Sequence, residues 1–201
     1  MPPDSAEARK AVVDTSVVKE TLKQVIRGRV ENTIVRASAL KNHSLQEVTN
    51  ADDFLFGHWM SLILVSGSAI RIILKVHFDT GTARRMLANK LKRKFEDIDD
   101  RMAMDHMREM CNLMAGSLKA ALTDAGIITG ISIPLVTSGF DEAVFSDKVD
   151  PRKILDVWKI VWDSGELTCA SVSDVLSWND FTDLHIETGK KAEDDGEGEF
   201  L

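Results

Sequence analysis

Residues 54–78 read FLFGHWMSLILVSGSAIRIILKVHF. Two β-branched and aliphatic runs, Phe54–Val65 and Ala69–Phe78, are split by Ser66, Gly67 and Ser68. Runs of that length around small turn formers predict two antiparallel strands joined by a tight turn. The pattern recurs late in the chain, where Ile154–Trp162 and Leu167–Leu176 are separated by Asp163, Ser164 and Gly165. An isolated hairpin is marginal in water, so both pairs must lay an apolar face against something else.

That something is helical. Upstream, Val18, Leu22, Val25, Ile26, Val30, Ile34 and Ala37 recur at helical spacing and predict an amphipathic helix over 15–40, broken near Gly28. Lys41–Asp53, with Asn42, Ser44, Asn50, Asp52 and Asp53, reads as a loop holding one short helical turn. After the first hairpin, Asp79, Thr80 or Thr82 caps a helix over Ala83–Phe95. Met86, Leu87, Leu91 and Phe95 are expected to face inward, with Arg84, Arg85, Lys90, Lys92, Arg93 and Lys94 outward, read as a solvated face in preference to an anion-binding one. A third helix runs from Arg101 to Asp124 and stops at Gly126, where a left-handed cap is favoured. Ile127–Val136 is β-rich and holds Pro134, which marks an edge or a strand end, and Ser138, Gly139 and Asp141 then turn the chain. The second half thus repeats the helix-then-strand-pair order of the first without repeating a residue motif. The expected class is α+β, an antiparallel sheet covered on one face by helices. Residues 1–14 read as a flexible N-terminus, 15–186 as a single domain, and 187–201 as a disordered acidic tail.

The 201 residues suffice for one substantial core, and 44% hydrophobic with 28% charged residues is ordinary for a globular protein. A net charge of -7 argues against nucleic acid as a partner. The longest apolar stretch, Met60–Val76, is interrupted by Ser66, Gly67, Ser68, Arg71 and Lys75, so it is not a membrane span. The N-terminus opens on Pro2, Pro3 and Asp4, unlike a secretory signal, and a cytoplasmic location is expected. Cys111 and Cys169 sit among apolar neighbours and read as core thiols. The histidines at 43, 58, 77, 106 and 185 show no paired ligand spacing, and no nucleophile elbow, dinucleotide or phosphate-loop fingerprint is present. Trp158, Trp162 and Trp178 read as sheet-packing residues.

Candidate chemistry is concentrated on the third helix. Projected at about 100° per residue, Ala103, Met107, Met110, Cys111, Met114, Leu118, Ala121 and Leu122 form one apolar stripe. Asp105, Glu109, Asn112 and Gly116 fall together on the opposite face. Gly116 is the oddity, since an exposed mid-helix glycine costs about 0.8–1 kcal/mol relative to alanine. Either it faces a neighbouring helix at close range, or its bare backbone lets another protein approach Asn112. Asp105 with Glu109, or His106 with Glu109, offers too few convergent ligands for a metal, and no metal is expected.

Glu109-Met-Cys-Asn112-Leu-Met-Ala-Gly116 resembles the helix signature of the chemotaxis phosphatases CheX, CheC and FliY. Ile131-Ser-Ile-Pro134-Leu-Val-Thr-Ser-Gly139 is similar to their Ser-x-Pro strand and following glycine, and Gly67–Phe78 with the Ala83 helix to their first hairpin and helix. No second signature occurs in the first helix, where Glu20 is followed three positions on by Lys23 and Glu31 by Ile34, which makes the chain more CheX-like than CheC-like. The resemblance implies hydrolysis of phosphoaspartate on a receiver domain such as CheY. Asn112 would then position the attacking water and Glu109 would engage the receiver's lysine, with Asp105 and Gly116 in the partner-binding face. It implies no cofactor of the chain's own, any Mg²⁺ belonging to the receiver, and a homodimer. The rival expectation is a non-catalytic receiver-binding or dimerisation module of the same fold.

Overall fold

The computed structural model describes residues 13–48, 57–139 and 153–184. Among these, the elements in order are α1 (Thr15–Ser38), β1 (Ser44–Glu47), β2 (Trp59–Gly67), β3 (Ile70–Phe78), α2 (Thr80–Leu91), α3 (Asp100–Asp124), β4 (Thr129–Ile131), β5 (Leu135–Ser138), β6 (Ile154–Trp162) and β7 (Gly165–Val175). Short 3₁₀ turns occupy Phe95–Asp97 and Trp178–Phe181.

All strand pairings are antiparallel, and the sheet reads β1-β6-β7-β3-β2-β4, with β5 also paired to β2. Each half of the chain supplies a helix, a short edge strand and a long hairpin. The edge strands are exchanged: β1 of the first half borders β6, and β4 and β5 of the second half border β2. The exchange places strands from both halves in one sheet.

Period-two alternation sets the two faces of the sheet. Ile70, Ile72, Leu74 and Val76 of β3, Ile154, Trp158 and Ile160 of β6, and Leu167 and Cys169 of β7 join the buried stripes of α1 and α3 in one core. On the other face Leu155 is exposed, and Leu62, Leu64, Ile73, Val157 and Val172 are only partly buried. The helices therefore cover one face, as the sequence predicts.

Several boundaries differ from expectation. The first helix is continuous through Gly28, since Val25, Ile26, Val30 and Ile34 are buried on both sides of it and tertiary packing outweighs the glycine. The stretch after it holds no helical turn among the described residues; Ser44–Glu47 is a strand exposed along its length, held by main-chain pairing to β6. The second helix starts earlier, at Thr80, where the Asp79 carboxylate accepts from the Thr82 N–H at 2.7 Å, and it ends at Leu91. Lys92 takes a left-handed conformation with φ 52°, so Leu91 (42% exposed) and Phe95 (36%) do not point inward. Phe95 instead lies under the Arg84 guanidinium, 4.2 Å from the ring centroid. The strand expected over 127–136 is divided at Pro134 into two pieces, both bordering β2 at the sheet edge. Expectations for residues 1–12, 49–56, 140–152 and 185–201 lie outside the described residues.

Candidate functional site

Helix α3 is anchored at both ends. Asp99 caps it by accepting from the Met102 N–H at 2.8 Å. At the far end Gly126, at φ 78°, donates to Thr123 O at 2.9 Å, and Ile127 donates to Leu122 O at 2.8 Å, closing the helix as the glycine predicts. The whole predicted apolar stripe is buried, joined by His106 and Ala115. This places Asp105, Arg108, Glu109, Asn112, Leu113 and Gly116 on the open side.

The four candidate residues differ in what they have to do within the chain. Asp105 accepts from Arg108 Nη1 at 2.5 Å, one turn along the same helix. Glu109 and Asn112 make no side-chain hydrogen bond or ion pair among the described residues. A carboxylate acceptor and an amide that can both donate and accept are thus presented together to whatever meets this face. A Cβ built on Gly116 meets no atom of the described residues within 4 Å. The reading in which this glycine admits a neighbouring helix therefore fails, and its bare backbone faces open space. Gly116→Ala should then stabilise the folded chain by about 0.8–1 kcal/mol, raising the thermal midpoint by about 2–4 °C in a melting experiment.

Leu113, 43% exposed beside Asn112, is a feature that projection left in neither face. Its signal in the sequence was a leucine outside the apolar stripe. His106 points the other way from its polar neighbours: burial, assisted by the charge of Lys90, pushes its pKa down to about 4 and keeps it neutral. It is no partner for Glu109 on the open face. The Cys111 thiol, pushed up to about 11 by burial, is protonated, and burial raises Cys169 as well, so both behave as core side chains. No group of three His, Cys, Asp or Glu side chains converges among the described residues. A cleft of about 270 Å³ lies between α1 and the end of α3, lined by Gln24, Gly28, Asn32, Asp124 and Asp183 among others. Its α3 wall begins at Ala121, nine residues or about 14 Å of helix beyond Asn112, so it is separate from this face.

The Ser132-x-Pro134 segment has a structural explanation. Ser132 donates its N–H to Leu64 O at 2.9 Å, and Leu64 donates its N–H to Ser132 Oγ at 3.0 Å. The serine side chain supplies an acceptor to β2 where the ladder breaks between β4 and β5, beside a proline that has no N–H to give.

No helix among the described residues is long and apolar enough to cross a membrane. No curated protein matches the sequence. The family model described as "Chemotaxis phosphatase CheX" matches residues 60–154, a span that includes all of α3. Among solved structures, a chemotactic CheC-like protein from Shewanella oneidensis is 16% identical with a TM-score of 0.60, covering 75% of this chain and 95% of that one. The chemotaxis protein CheX from Vibrio vulnificus is 17% identical with a TM-score of 0.58, covering 74% and 96%. A CheX-CheY-BeF₃-Mg²⁺ complex from Borrelia burgdorferi matches at 14% identity and a TM-score of 0.58, covering 74% and 95%. At such identities the structures speak for the fold, and the family model adds a likeness in sequence across β2, β3, α2, α3, β4 and β5. The chain is thus similar to CheX in sequence over residues 60–154 and shares the fold of CheX and CheC-like proteins.

Proposed function

We propose that this protein removes the phosphoryl group from a phosphoaspartate on a CheY-type receiver domain, with the exposed face of α3 as its working surface. The observation that carries this reading is the pair Glu109 and Asn112, without side-chain partners among the described residues and set beside a Gly116 that none of those residues covers. The CheX family match and the existence of a relative solved in complex with CheY support it.

The chemistry suits these groups. Hydrolysis of an acyl phosphate needs a water placed in line with the P–O bond and neutralisation of charge more than covalent catalysis. The Asn112 carbonyl accepts a hydrogen bond from that water and fixes its approach. Water oxygen bonds to phosphorus, the bond to the aspartyl oxygen breaks, and the products are inorganic phosphate and a free carboxylate, the water's proton passing to phosphate or solvent. Glu109, ionised and acceptor-only, docks against the receiver's lysine ammonium. Gly116 leaves room for the receiver to close on the helix, and Asp105, held by Arg108, borders the contact. Mg²⁺ is the receiver's. Phosphoryl loss from a CheY-type receiver should accelerate in proportion to added protein; an unchanged decay removes the reading.

A second copy of the chain is the other partner. The segment that holds the edge strands β4 and β5 exposes Ile128 (81%) before β4, Ile133 (83%) between the two and Leu135 (57%) in β5, an apolar sheet border suited to pairing with its own copy. Light scattering should give about twice the 22.3 kDa chain mass, and a monomeric mass would exclude this pairing.

A further inference from the structure

The turn that closes α2 carries four cations in five positions, Lys90, Lys92, Arg93 and Lys94, around an exposed Leu91. None of the four makes an ion pair among the described residues. Carboxylates are close by in sequence at Glu96, Asp97, Asp99 and Asp100, but Asp99 is committed to capping α3, and Asp100 meets Arg84 at 3.7 Å. The arrangement has a local cost in a chain whose net charge is -7. Like charges are crowded, and Lys92 occupies a left-handed position, φ 52°, where glycine or asparagine is the easier residue.

The position of this turn suggests what offsets that cost. Met102 at the start of α3 packs on Leu87 and Ala88 of α2, and the charge of Lys90 reaches His106. Met102 lies two turns before Glu109 on the same side of α3, so the end of α2 stands beside the start of the face that bears Asp105 and Glu109. A phosphoaspartate site gathers phosphoryl and carboxylate oxygens at its mouth, a net anionic surface even after the charges of Mg²⁺ and the lysine are counted. Asp105 is already paired with Arg108, and Glu109 in the receiver reading meets the lysine, so neither attracts the anionic oxygens of such a surface.

We propose that Lys90, Lys92, Arg93 and Lys94 form an electrostatic docking patch that draws the anionic mouth of a phosphorylated receiver onto α3. The inference rests on the receiver reading above and adds the surface that sets the rate of encounter. Steering of this kind acts on association, falls with ionic strength and leaves the chemical step unchanged.

Stopped-flow association with a CheY-type receiver loaded with beryllofluoride and Mg²⁺ tests it, comparing the wild type with the Lys90→Gln/Lys92→Gln/Arg93→Gln/Lys94→Gln variant. Circular dichroism melting verifies the variant's fold. At ionic strength near 20 mM the variant should associate about tenfold more slowly, and the gap should close by about 0.5 M salt. Dissociation and the turnover number at saturating receiver should be unaltered. Equal association at every ionic strength, or a deficit that salt does not erase, overturns the proposal. So does cosedimentation with phosphatidylserine vesicles that the variant loses while receiver association is unaffected, which assigns the patch to a membrane surface. Binding without any acceleration of phosphoryl loss counts against the phosphatase reading alone, because association is measured without turnover. Absence of association at every ionic strength removes the receiver itself.

Discussion

Asn112→Ala should lower phosphoryl loss from a saturating receiver by about two orders of magnitude or more while leaving the folded chain as stable as before. The size follows from what the side chain does: loss of a single positioning group in a site that works by orientation and charge placement typically costs about 10²–10³ in rate. The unchanged stability follows from its setting, because Asn112 is exposed and has no intrachain hydrogen bond to lose among the described residues. With the docking role proposed for Glu109 untouched, the variant should bind the loaded receiver nearly as well as the wild type. Rate and binding then separate. A parallel fall in binding and rate would instead make Asn112 a docking contact. Single-turnover decay and equilibrium titration on the same preparation distinguish these outcomes.

Asp156→Ala should do the reverse, sparing the chemistry of the folded fraction and destabilising the fold by about 3 kcal/mol. Asp156 is 4% exposed on the core face of β6 and accepts from Arg27 Nε at 2.7 Å and from Arg27 Nη2 at 2.5 Å. The same Nη2 donates to Glu47 at 2.9 Å, and the guanidinium lies 5.9 Å from the Trp158 ring. One cation thus fastens α1 to β6 and to the exchanged edge strand β1, and the bond to Asp156 raises the Arg27 pKa above its ordinary value. Removing the carboxylate leaves a partly buried guanidinium with only the exposed Glu47. Breaking a buried pair by deleting one partner costs about 3–5 kcal/mol, and the lower end applies because Glu47 and some solvent remain. Against a typical domain stability of about 5–15 kcal/mol this is a large fraction. The midpoint of urea unfolding measures it, and a loss below about 1 kcal/mol would show that the network is incidental.

Which of these features were legible in the sequence follows from how local their causes are. The stripes of α1 and α3, the two hairpins and the Gly126 cap each arise from contacts within a few residues, and all can be read by eye from spacing. The outward grouping of Asp105, Glu109, Asn112 and Gly116 is of the same kind. Ser44–Glu47 is a strand because β6 offers it an edge; its residues are exposed throughout and carry no alternation to detect. The exchange of edge strands between halves is likewise invisible to periodicity, which says where a strand lies and nothing about its neighbour. Leu91 and Phe95 continue the helical period of α2, so the pattern overran a boundary that Lys92's left-handed backbone sets. Asp156 alternates correctly with Ile154, Trp158 and Ile160, yet nothing near it announces that Arg27 lies across from it. Gly116 left two readings open because the difference between them was what stood within 4 Å, which spacing along the sequence does not give.

Phosphoryl loss from a labelled CheY-type receiver, timed with substoichiometric wild-type protein and again with Asn112→Ala, decides the role of the α3 face. Multiple turnovers per wild-type chain, with decay at the receiver's spontaneous rate for Asn112→Ala, is the result expected. Equal decay with both proteins would contradict it.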